Sequence, residues 1–144
     1  MPRPWHLMTA TLGAVLLSSA SLMAEPGSVV VKKVLETTET ASGRPITVPP
    51  HPELTVSTYT IPAHESLAMH KHPYARYAYV LEGRITVETL TGERFDYETG
   101  DVIVEVIDQW HLGRTGDGPA RLLVIDQTPP GASATILKDK SATE

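Results

Sequence analysis

His70 and His72 stand one residue apart, just ahead of the strand-like run Tyr77–Leu81. In an extended chain, residues i and i+2 point to the same face, and their Cα atoms lie about 6.5 Å apart. Imidazoles at that spacing can converge on one ion. His111 follows a Gly-Asp turn and the apolar run Val102–Ile107, a context that can return it to the same interior. Three imidazoles would hold a divalent transition metal and leave positions open, which is the arrangement of a reactive site. Without the third histidine, the pair reads more simply as two polar residues at the mouth of a barrel. The sequence has no cysteine, no Gly-rich phosphate loop and no GxSxG, so histidine-bound metal is the only visible route to catalysis. His51, set among Pro49, Pro50 and Pro52, reads as an exposed loop residue.

The elements that must position these histidines are strands. Glu53–Ile61 alternates between two faces until Pro62 ends it. Leu67–His72 is extended, and Tyr77–Leu81 has the aromatic and aliphatic composition of a buried strand. Arg84–Leu90, Arg94–Tyr97, Val102–Ile107 and Ala120–Asp126 follow, separated by turns at Glu82-Gly83, Thr91-Gly92, Thr99-Gly100-Asp101 and Gly116-Asp117-Gly118-Pro119. Ser28–Leu35 reads as a further strand at an edge, with Lys32 and Lys33 discouraging stray pairing. Helical periodicity is not sustained beyond the first residues. Many short strands with Gly and Pro turns predict an all-β sandwich or barrel.

The chain opens with Arg3, an apolar stretch over Leu7–Leu17, and the small residues Ser18, Ser19 and Ala20. That order predicts a cleavable signal peptide over 1–24, with cleavage after Ala24 or, alternatively, Ala20. The apolar stretch is short for a membrane span, so no stable membrane anchor is expected after cleavage. Residues 25–131 are expected to form one domain and 132–144 a flexible C-terminal tail. Loss of Arg3 leaves 11 basic and 17 acidic side chains, net −6, which argues against nucleic acid as a partner. The expected location is the periplasm or the medium.

Two separated motifs resemble those of the cupin superfamily. The first family pattern is G-x5-H-x-H, three or four residues, E-x6-G. Here it reads H-ESLAM-H-K-H-PYA-R-YAYVLE-G, from His64 to Gly83. The second is G-x5-P-x-G-x2-H-x3-N, which reads G-DVIVE-V-I-D-QW-H-LGR-T, from Gly100 to Thr115. The resemblance implies a single-domain jelly-roll β-barrel with His70, His72 and His111 on a divalent metal (Fe, Mn, Ni, Cu or Zn). It also implies a small-molecule ligand or substrate and a homodimer.

The departures are informative. His64 and Asp108 stand at the pattern's glycines, Val106 at its proline and Thr115 at its asparagine. Arg76 occupies the position of the family's metal-binding glutamate. Its charge 6 Å from a divalent ion would cost about 5 kcal/mol at an effective dielectric of 20, so it must turn away, be paired or meet an anion. Three readings follow. The histidines bind a metal with water in the open positions, as in a metal-dependent dioxygenase-like enzyme. Or the metal site is degenerate and the pocket binds a small molecule without catalysis. Or Arg76 clamps a substrate carboxylate beside the ion, as in some three-histidine cupins. Against the last stands a solvent-facing Arg76 paired to an acid such as Glu82.

Overall fold

Short runs form nine strands in a computed structural model that describes Gly27 and residues 29–139. They are β1 (Glu53–Ile61), β2 (His70–Lys71), β3 (Ala75–Glu82), β4 (Arg84–Thr89), β5 (Arg94–Glu98), β6 (Val102–Val104), β7 (His111–Arg114), β8 (Ala120–Thr128) and β9 (Ile136–Leu137). All ladders between them are antiparallel. One sheet has the order β1-β8-β3-β6 and the other β5-β4-β7-β2-β9. No helix occurs among the described residues.

The core lies between the sheets. Ile61, Ala78, Val80, Ile103, Leu122 and Val124 come from the first sheet and Ile85 from the second. Each of the larger ones is worth about 1.5–3 kcal/mol when fully buried. Among the described residues no ladder joins the two sheets, so the expected closed barrel is a pair of facing sheets here. An isolated bridge pairs His72, just after β2, with Ile107, beyond β6. The tight turn from β3 to β4 depends on Gly83, whose φ is +81° and whose Cβ would sit 2.0 Å from the Pro119 carbonyl oxygen. Only glycine fits there.

Three sequence expectations change. Residues 29–35 form no strand, and Val29, Val30, Val31, Val34 and Leu35 are exposed. β-branched composition favours extended backbone, but a strand also needs a partner edge, and this segment has none among the described residues. The tail is docked as far as it is described. β9 pairs with β2 and the Lys138 amide bonds the Met69 carbonyl at 2.9 Å, covering a sheet edge that would otherwise stand open. The apolar run beyond residue 101 leaves its ladder after Val104, so His111 begins a strand instead of following one. The expected signal peptide, 1–24, lies outside the described residues, as do 140–144.

Candidate metal centre

β2 and β7 are adjacent, and their register places His70 directly opposite His111. His72 lies two residues beyond His70, on the same face of an extended path. The three imidazoles meet. Ring centroids are 4.9 Å apart for His70 and His72, 4.5 Å for His70 and His111, and 4.9 Å for His72 and His111. One donor nitrogen from each falls within 4.8 Å of the others. His72 and His111 are each 1 % exposed, and His70 is half-buried.

Each ring is oriented through its Nδ1. His70 Nδ1 donates to the Ala68 carbonyl at 2.7 Å, His72 Nδ1 to Ala134 at 3.0 Å and His111 Nδ1 to Gln109 at 2.8 Å. With Nδ1 carrying the proton, every Nε2 carries the ring's lone pair, as in metal-ligating histidines held by outer-shell acceptors. His111 Nε2 is sealed from solvent and has no hydrogen-bond partner. Burial lowers the pKa of all three, and for His72 burial together with the Arg76 guanidinium brings it to about 2. They are neutral at physiological pH, the form that binds metal. A buried, orphaned imidazole nitrogen beside two more neutral imidazoles fits a divalent transition ion.

Arg76 is neither solvent-facing nor paired to Glu82. It is 6 % exposed and lies on β3 directly opposite Asp126 of β8. Its Nε donates to Asp126 Oδ1 at 2.6 Å and its Nη2 to Oδ2 at 3.0 Å. Burial alone would weaken its charge, but the Asp126 bonds outweigh that and raise its pKa. Its Nη1 faces His72 Nε2 at 3.5 Å. The guanidinium fork is thus occupied, which leaves little of it to clamp a substrate carboxylate.

Two acids that the motifs do not name complete the site. Asp126 belongs to the inward row Leu122, Val124, Asp126 of β8. Glu105 follows β6, and burial pushes its carboxyl pKa up. Both carry a sequence signal: each is a lone carboxylate in an apolar run. Tyr59, Leu67, Ile85 and Val87 help line the small cavity of about 30 Å³ that the histidines, Arg76 and Glu105 enclose. Trp110 lies away from it, with Lys71 Nζ 5.3 Å from its ring centroid. His51 and His64 are exposed. Tyr79 is 38 % exposed on the outer face of the first sheet, and Tyr77 is half-buried on the same face.

Residues 57–126 match the cupin domain family. The chain belongs to the cupin superfamily. No curated protein matches it in sequence. Among solved structures it is similar to the DMSP lyase DddQ from Ruegeria pomeroyi DSS-3, with TM-score 0.54 and 21 % identity over 62 % of this chain and 45 % of that one. It is also similar to the polyketide cyclase RemF from Streptomyces resistomycificus, with TM-score 0.50 and 19 % identity over 60 % and 63 %. A cupin-like protein from Thermotoga maritima gives TM-score 0.51 and 13 % identity over 59 % and 64 %. The chain spans less than two thirds of the length of each, and these likenesses concern the fold.

Proposed function

We propose that the protein is an exported metal-binding cupin in which His70, His72 and His111 hold one divalent transition ion (Fe, Mn, Ni, Cu or Zn), its two sheets being the walls of a jelly-roll barrel. The observation that carries this reading is the approach of one nitrogen from each ring to within 4.8 Å of the others, with each Nδ1–H bonded to a backbone carbonyl so that each Nε2 carries the lone pair. Such an ion would supply Lewis acidity toward an oxygen of a small molecule. The chain's own residues bind and orient. The apolar wall of Leu67, Ile85, Val87 and Leu122 excludes bulk water, and Asp126 neutralises Arg76 so that its charge does not oppose the ion. A cavity of about 30 Å³ matches one or two water-sized ligands beside the histidines. This suits a small oxygenated substrate or dioxygen itself, in a dioxygenase-like reaction.

The test is elemental analysis of protein purified from periplasmic extract, repeated on a His70→Ala/His72→Ala variant. About one metal per chain in the first and none in the second supports the reading. Mass spectrometry of the same sample reads the cleavage site, with Glu25 expected as the first residue. Oxygen consumption across a small-molecule screen separates turnover from binding.

One observation favours a second reading, a non-catalytic small-molecule-binding cupin with a degenerate metal site. Arg76 stands where the family pattern has its glutamate, and its Nη1 points at His72 Nε2. On that reading the purified protein carries no metal, and ligands bind a His111→Ala variant as well as the native chain.

A homodimer is part of the proposal. Exposed Leu54 and Val56 of β1 share the outer face of the first sheet with Leu123, Ile125, Tyr77 and Tyr79, an apolar surface suited to a second copy. Analytical ultracentrifugation of the native chain and Val56→Lys tests this, with dissociation expected in the variant.

A further inference from the structure

The family pattern does not account for the carboxylate of Glu105. Its Oε2 is sealed from solvent, has no hydrogen-bond partner and lies 3.7 Å from His111 Nε2, itself orphaned. That separation is too long for a hydrogen bond, whose donor and acceptor lie about 2.7–3.2 Å apart. Two buried atoms left facing each other unpaired each incur a desolvation cost. The distance does suit two donors on one ion. Donors each about 2.0–2.2 Å from a metal stand roughly 3.3–3.8 Å apart at tetrahedral or wider angles.

The position that the pattern reserves for a carboxylate ligand is taken by Arg76, which is held by Asp126. Glu105 stands beside that position. Its amide donates to the Arg76 carbonyl at 3.0 Å, just where the β6 ladder with β3 ends. A carboxylate lost from β3 can thus be replaced from the neighbouring segment. A buried carboxylate also requires a compensating positive charge. Arg76 is committed to Asp126, and an ion at the histidines would supply that charge.

We propose that Glu105 is the fourth protein ligand of the ion held by His70, His72 and His111, so that the site is three imidazoles and one carboxylate with the carboxylate moved from β3 to the end of β6. This rests on the metal-binding reading above.

The test is zinc affinity of the mature chain, measured by competition with a chromogenic chelator, together with the cobalt(II) absorption spectrum, for the native protein and Glu105→Gln. Loss of an outer-shell partner already costs about 10–100-fold in metal affinity. A drop of at least about tenfold is therefore expected for Glu105→Gln, with an altered cobalt spectrum. The metal-free variant should melt no lower than the native chain, because an unpaired buried carboxylate has been removed. Equal zinc affinity and an unchanged cobalt spectrum would overturn the proposal and leave the histidine site standing. No zinc binding by the native chain would overturn both. Should Glu105→Gln fail to fold, the infrared difference spectrum of the native chain on zinc addition decides. A shifted carboxyl band supports ligation, and an unchanged carboxyl region rules it out.

Discussion

Arg76 and Asp126 face each other across β3 and β8 and share two hydrogen bonds, at 2.6 and 3.0 Å, with both side chains 7 % exposed. The pair settles how a positive charge can stand where the family pattern has a metal-binding glutamate. The guanidinium is matched locally, and the pair as a whole adds no net charge beside the histidines. Removing one partner of such a buried pair costs about 3–5 kcal/mol, because the other is left uncompensated. Asp126→Asn is therefore expected to lower stability by that order and to weaken zinc binding. Arg76→Met/Asp126→Leu removes both charges together and is expected to cost far less. Urea denaturation of the three proteins in chelator checks the first expectation, and zinc competition checks the second. Equal losses in the single and double variants would mean the pair acts through packing alone.

The acid limb of the stability profile should carry the histidines' signature. His70, His72 and His111 have folded pKa values below the ordinary 6.5, and that of His72 is about 2. As pH falls below 6.5, the unfolded chain takes up these protons and the folded chain does not. Stability therefore declines, by up to about 1.4 kcal/mol per pH unit for a residue such as His72. Glu105 works the other way. Its folded pKa is raised, so it takes up its proton in the folded state first and offsets part of the loss. Metal-free native protein is expected to lose stability between pH 7 and pH 5, and Glu105→Gln to lose it more steeply. Urea midpoints at several pH values measure both slopes. A flat profile would mean that the imidazoles are not sealed from solvent.

Much of this site was legible because its spacing is local. His70 and His72 share a face by strand parity alone; the runs that became β1 and β4 announce themselves by alternation, and those of β3, β5 and β8 by their composition and the turns that bound them. What stayed hidden depends on register between distant strands. Nothing near Arg76 in sequence points to Asp126, fifty residues away, as its partner. Nor does composition show that residues 29–35 have no partner edge among the described residues, or that residues 136–137 find one on β2. Glu105 was visible as a lone charge in an apolar run, but which face it takes depends on where β6 leaves its ladder.

The two glycines missing from the family pattern leave a measurable mark. His64 and Asp108 occupy those positions with φ of +58° and +53°. The left-handed region costs a residue with a Cβ roughly 1–2 kcal/mol, while a new glycine gives back about 0.4–1 kcal/mol through the freer unfolded chain. His64 is exposed, and Asp117 is 4.0 Å away. His64→Gly is expected to raise stability by up to about 1 kcal/mol. Asp108 bonds Lys71 at 2.6 Å, and Asp tolerates this backbone better, so Asp108→Gly is expected to gain nothing. Urea denaturation of both variants reads the difference. A clear loss in His64→Gly would assign the imidazole a role that its surroundings do not show.

The tail ties the far end of the chain to the histidines. β9 pairs with β2, setting Leu137 opposite His70, and the Ala134 carbonyl accepts the Nδ1–H of His72 at 3.0 Å. No residue of the main core cluster comes from this segment. Ending the chain after Gly131 is thus expected to leave the paired sheets folded while freeing the His72 ring and the edge of β2. Losing an outer-shell acceptor of this kind lowers metal affinity about 10–100-fold. Zinc competition, with near-ultraviolet circular dichroism as the check on folding, makes the measurement. A truncated chain that folds and binds zinc like the native one would show that β2 and β7 alone hold the histidines in place.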